Sequence, residues 1–166
     1  MPDVSTEVAI ATTTLGSSAG SITFSSIPAT YTDLRLVFVV TGVGTIRIRF
    51  NADTGSSYSN TILRGITGAG VLSSRNSSVS NGINLADVIG PSTTIPSIYT
   101  ADIFSYAGST NKTLLSSVSA DRNGGTGGVG NIVGLWRNTS AITSIVIDSS
   151  GNDYYAGSTA TLYGIL

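Results

Sequence analysis

Residues 33 to 40 read Asp-Leu-Arg-Leu-Val-Phe-Val-Val, which places Leu34, Leu36, Phe38 and Val40 on one face of an extended chain and Arg35, Val37 and Val39 on the other. Successive side chains of a strand point to opposite sides, so this period of two predicts a strand with one fully apolar face. Its second face is only half polar, as in a strand that is central in a sandwich or covered by another subunit. Residues 45 to 50 alternate more cleanly, with Ile46, Ile48 and Phe50 opposite Arg47 and Arg49. The intervening Thr-Gly-Val-Gly supplies turn glycines, and the two segments are expected to form a hairpin.

Further strands are expected over residues 7–14, 20–25, 98–106, 112–119, 129–137, 141–148 and 158–166, which clusters of Gly, Pro, Asn and Ser separate. A long amphipathic helix is absent from the pattern; residues 58–64, with Tyr58 and Ile62 four apart, fit a short helix or a strand. Residues 67–97 are rich in Ser, Asn and Gly and carry Pro91 and Pro96, so they read as a long excursion across one edge or end of a sheet. The fold class expected is all-β: residues 7–166 as a single jelly-roll-like β-sandwich domain of about nine or ten strands, with an immunoglobulin-like sandwich as second choice. Residues 1–6 lack a core pattern and are expected to form a short N-terminal arm, disordered or ordered by lying on a neighbour.

Composition narrows the function. Only 10% of residues are charged, against about 25% in ordinary soluble domains. The polar surface comes instead from 26 serines and 22 threonines, residues that favour turns and pleated strands. A net charge of -1 without a run of either sign gives no electrostatic footprint for nucleic acid. No stretch is apolar enough for a membrane span, and the N-terminal residues lack a basic, then apolar, signal pattern, so the expected origin is a cytoplasm. Cysteine and histidine are both absent, which removes disulfides, thiol catalysis, Ser-His pairs and imidazole metal sites.

What remains is weak chemistry. Lys112, the one lysine, reads as a solvated charge at a strand edge. Asp102 lies mid-strand on the face of Ile98 and Phe104, where it needs an arginine partner or water; a glycosidase acid is the alternative. Residues 125–130 spell GxGxxG, but a strand rather than a helix follows, so a flexible loop is expected in place of a dinucleotide site. Residues 51–56 and 148–153 set Asn and Asp around a glycine, as calcium loops do and as plain Asx-turns also do. Trp136, Tyr154, Tyr155 and Tyr163 could stack on sugars or pack a core. Asn76, Asn111 and Asn138 match the glycosylation sequon by chance. No cofactor and no metal is expected.

FSSIPATYTDLRLVF at 24–38, IRIRFNADTGSSYS at 46–59 and the closing ATLYGIL at 160–166 together resemble a recurrent module of tailed-bacteriophage virion surface proteins. The likeness covers the N-terminal third and the last strand, and departs at Ala52 and Ser57, where Gly and Asn are usual. Such modules occur in capsid decoration proteins, head fibres and tail fibres. With neither a long shaft nor a separate attachment domain, this chain suits a structural cement protein: one that binds the outer surface of the head, bridges and stabilises major capsid protein subunits, and associates with itself as a homotrimer. The resemblance implies a place on the virion, no enzyme activity, and partners that are neither nucleic acid nor membrane. The alternative is a tail- or head-fibre adhesin or carbohydrate-binding module for host attachment. For the interface the expected residues are the arm, Met1, Pro2, Asp3, Val4, Ser5 and Thr6, together with Val37 and Val39 packed between subunits. Arg47 and Arg49 either meet acidic groups of a neighbour or stand solvated on an outer sheet face.

Overall fold

A computed structural model describes residues 6–166. They form twelve strands and no helix: β1 (Glu7–Thr14), β2 (Ser21–Phe24), β3 (Asp33–Val40), β4 (Arg47–Phe50), β5 (Tyr58–Ile66), β6 (Gly70–Val79), β7 (Ile83–Asn84), β8 (Ser97–Phe104), β9 (Lys112–Asp121), β10 (Gly127–Trp136), β11 (Ile145–Asp148) and β12 (Thr159–Ile165). Eight make one sheet in the order β1-β12-β3-β8-β9-β10-β5-β6, and four make a second in the order β2-β11-β4-β7. Every ladder is antiparallel. The all-β class and the two-sheet arrangement are as expected; the jelly-roll connectivity does not follow from an eight-plus-four division of strands.

Period two explains why these residues sit as they do. Leu34, Leu36, Phe38 and Val40 of β3 are buried, as are Ile46, Ile48 and Phe50 in and beside β4. The layers meet through rings: Phe50 of the small sheet lies 5.5 Å from Trp136 and 6.4 Å from Tyr58 of the large one. Burying one apolar side chain of this kind contributes about 1.5–3 kcal/mol, so the shared core holds the sheets face to face.

The expected hairpin of residues 33–50 does not form. β3 pairs with β12 and β8, whereas β4 pairs with β11 and β7 in the other sheet. Residues 41–45 instead cross between layers against the 149–154 segment, with Val43 N–H donating to Asp153 O at 3.1 Å and Thr45 N–H to Ser149 O at 3.2 Å. Gly44 has φ +95°, and a Cβ there would lie 2.6 Å from the Ser149 carbonyl oxygen. That glycine serves close approach of two backbones rather than a tight hairpin turn.

Residues 58–66 are a strand, not a helix, and residues 67–97 are more than an excursion. They supply edge strand β6 and then fold Ile83, Leu85, Val88 and Ile89 into the core. The GxGxxG run is likewise part turn and part strand, since β10 begins at Gly127. A Cβ on Gly130 would sit 2.4 Å from Leu63 O and 3.0 Å from a Val88 methyl. The glycines therefore make room for the 83–89 segment, which sequence spacing alone does not reveal.

Lys112 also departs from expectation. It is fully buried, because Nζ donates to the carbonyls of Gly108 (2.7 Å), Thr110 and Thr139 (3.4 Å), contributed by two loops. Three N–H donors meet three acceptors, which is what makes burial of the ammonium tolerable. Burial lowers its pKa from the usual lysine value.

Candidate functional site

The register of the large sheet defines its outer face row by row. One row runs Arg35, Asp102, Leu115, Val133, Thr61, Arg75; the next Val37, Thr100, Ser117, Asn131, Leu63, Ser73; the third Val39, Ile98, Ser119, Val129, Gly65, Val71. Within these three rows charge is confined to the two ends of the first, and β9, β10 and β5 present only apolar, hydroxyl and amide side chains; the carboxylate of Asp121 stands exposed in the next row, at the end of β9. Leu63 is 54% exposed, Val129 64% and Val133 50%. At one end the face dips into an open groove of about 1010 Å³ with Val71, Ile98, Val129 and Pro96 among its walls. An exposed sheet face normally carries polar side chains on alternate positions, so Leu, Ile and Val in three adjoining rows make this face more apolar than water alone would favour.

Its charged corner is internally satisfied. Arg35 Nε donates to Asp102 Oδ1 at 2.6 Å and Nη2 to Oδ2 at 3.3 Å, while Nη1 donates to Glu7. The hydrogen bond to Asp102 is the main cause that raises the Arg35 pKa above its ordinary value. Asp102 thus has the arginine partner that its mid-strand position called for.

The expected interface residues divide between the two layers. Val37 and Val39 lie on this outer face, half-buried between threonines and Ile98. Arg47 and Arg49 lie on the outer face of the small sheet, where both guanidinium groups donate to Asp148 Oδ2, at 3.1 and 2.6 Å. Their acidic group is in the same chain. Thr6 is exposed and its carbonyl accepts the Leu166 N–H at 3.1 Å; Met1, Pro2, Asp3, Val4 and Ser5 lie outside the described residues.

Both Asx loops are built as turns. Asp53 Oδ1 accepts the Gly55 N–H at 2.8 Å; Oδ2 accepts the Ser57 hydroxyl at 2.5 Å and Trp136 Nε1–H at 2.7 Å. The Ser57 hydroxyl and then the indole hold the Asp53 carboxyl below its usual pKa. Asp148 Oδ1 accepts the Ser150 N–H at 2.7 Å. These oxygens are committed to the loops' own N–H and O–H donors, which ties each loop as an Asx-turn between strands. Asn51 does the same work: Oδ1 accepts the N–H of Thr143 (2.8 Å) and Ser144 (3.2 Å), and Nδ2 donates to Ala141 O (2.8 Å).

Ala52 follows with φ +55°, a left-handed conformation that costs a residue bearing a Cβ about 1–2 kcal/mol. Glycine loses more chain entropy on folding but adopts this φ freely. Ala52→Gly is therefore expected to stabilise the fold by about 0.5–1 kcal/mol, read as a higher urea midpoint with an unchanged slope.

Sequence reasoning missed the β6 bulge and the polar cleft behind it, because both arise from pairing between distant segments. Compared with protein-family models, curated proteins and solved structures, the chain matches none.

Proposed function

We propose that the chain is a structural virion protein: a capsid cement or decoration protein that binds the outer surface of a tailed-phage head and bridges major capsid protein subunits, acting as a homotrimer. The observation that carries this reading is the apolar centre of the large sheet's outer face, where Leu63, Leu115, Val129 and Val133 adjoin with charge only around them. Covering Leu63, Ile98, Leu115, Val129 and Val133 removes apolar surface from water at about 25 cal/mol per Å², and the intervening Ser and Thr carry no ionic desolvation cost. A face of this composition resembles the charge-depleted core of a protein interface more than a solvent surface. Bridging adds stability by mass action: subunits joined by a bound cement part only when its contacts also break. The mechanism uses area and shape, takes no cofactor and is not enzymatic. The sequence resemblance to phage virion modules supplies the partner.

Leu115 and Val133 are cross-strand neighbours on that face, so Leu115→Asp with Val133→Asp sets two carboxylates in its middle. Position 115 also faces Asp102, itself paired with Arg35, so exposed like charges cost the fold about 1 kcal/mol for each of two opposed pairs at most, whereas burying them unpaired in a complex costs several. The double variant is expected to stay folded, to lose about a hundredfold or more in affinity for heads stripped of the protein, and to restore none of their heat resistance. Wild-type protein is expected in hundreds of copies per particle. Stripped heads that keep their heat resistance but no longer attach to cells would overturn the cement reading in favour of an adhesin.

A further inference from the structure

We propose that the cleft between strand β6 and the 80–87 segment binds a neutral polyhydroxylated ligand, a sugar unit. The β5–β6 ladder slips here: Tyr58 opposes Val79 and Asn60 opposes Asn76, so that Ser77 and Ser78 bulge from the edge. Beneath the bulge lies a cleft of about 510 Å³ whose polar groups include Asn60, Arg75, Asn76, Asn84 and Asp87. That volume lies in the range of about 300–1,000 Å³ usual for small-molecule sites.

The groups in the cleft are not used up by one another. Asn60 is only 3% exposed; its Nδ2 donates to Asp87 Oδ2 at a long 3.4 Å, and its Oδ1 has no partner at all. An acceptor held out of water without a donor is costly, and a native structure retains one where something else completes it. Asp87 Oδ1 accepts Asn84 Nδ2 at 2.6 Å, but its carboxylate has no ion pair; the nearby Arg64 donates to the Asp87 main-chain carbonyl instead. Burial raises the Asp87 pKa from its ordinary value, consistent with a carboxyl short of compensating charge.

Chemistry selects the ligand. An anion would face Asp87, and a cation would face Arg75. A divalent metal would find one carboxylate where hard cations gather several oxygens. A planar base needs a flat apolar wall, and Val79 is the sole apolar side chain lining the cleft. Sugar hydroxyls both donate and accept, so they can donate to Asp87 while accepting from Arg75 and Asn76, and a small shift of the Asn60 amide would bring its free Oδ1 within reach. The site does not depend on the cement reading; a head coated with many copies of a weak sugar site would gain cell adhesion through avidity.

The test is NMR titration of the intact protein with glucose, galactose, mannose and N-acetylglucosamine at millimolar concentration, following the side-chain amides of Asn60, Asn76 and Asn84. At least one sugar is expected to shift those signals saturably, and Asp87→Asn and Arg75→Ala each to weaken it by about tenfold. Arg75 is exposed, so its variant reports on binding without threatening the fold. No saturable shift with any of the four sugars, equal binding by both variants, or shifts produced by calcium alone would each overturn the proposal.

Discussion

Trp136→Ala is expected to lower the unfolding free energy by about 3–5 kcal/mol, a large part of the roughly 5–15 kcal/mol available to a domain. The indole is fully buried, stacked 16° from the plane of Tyr58 and 5.5 Å from Phe50, so its loss opens a cavity where the two sheets touch. It also removes the donor that Asp53 accepts. Trp136→Phe keeps one aromatic ring but loses the rest of the indole and that hydrogen bond, with an expected cost of about 1–3 kcal/mol. Urea midpoints measure both, and a loss under about 1 kcal/mol for the alanine variant would mean that the ring does not join the layers. The same joint has a pH signature. Because the Asp53 carboxyl lies below its unfolded value of about 3.9, its contribution is present above that pH and lost as pH falls through the folded value. Trp136→Phe should flatten that acid limb.

Alkaline solution is expected to destabilise the protein progressively from about pH 10 upward. Tyr58, Tyr99 and Tyr154 are fully buried, and burial pushes the Tyr58 hydroxyl up to about 12 and the other two higher still. Each hydroxyl donates to a main-chain oxygen: Asp53 at 3.1 Å, Ile89 at 2.7 Å and Thr45 at 3.2 Å. These are acids raised above their unfolded value near 10, so their stabilisation is complete below that pH and is lost as pH climbs toward the folded values. One such group costs about 1.4 kcal/mol per pH unit, and three together about 4 kcal/mol by pH 11. Lys112 works the other way, since its depressed value yields stability as pH rises toward about 10.4, but it offsets at most one of the three. Urea midpoints between pH 8 and 11 test this, with Tyr99→Phe expected to remove about a third of the slope. A flat profile would show that the phenols ionise within the fold.

Strand positions were legible because Ile, Leu, Phe and Val alternate with polar residues in β3, β4, β8 and β12, and one buried face enforces that pattern. β6 was not legible: every residue of Gly70–Ser78 is exposed, so no alternation is imposed on GVLSSRNSSV. Pairing was illegible for another reason. Leu36 is bounded by Leu162 and Ala101, and no local signal distinguishes these neighbours from a hairpin partner thirteen residues away. The burial of Lys112 depends on carbonyls at 108, 110 and 139, whose meeting the sequence does not announce. For the proposed docking face the signal was present but partial. The apolar second face of Val37 and Val39 pointed to it, while Leu63, Leu115, Val129 and Val133 join it only once register aligns them. The motifs behind the phage resemblance prove to be joints. Asn51 and Asp53 tie loops, and a Cβ on Gly164 of the closing stretch would strike the Tyr31 ring at 2.3 Å.

Strand β12 lies between β1 and β3, with Glu7 opposite Ile165 and Val39 opposite Thr159. During synthesis, then, β1 has no partner in the sheet until β12 has been made. Until residue 165 clears the ribosome, β3 exposes an unpaired edge, and an edge of that kind recruits other chains. Closure of this part of the sheet therefore waits on β12, which favours chaperone protection of the nascent chain and makes loss of β12, paired on both sides, costlier than loss of β1, paired on one.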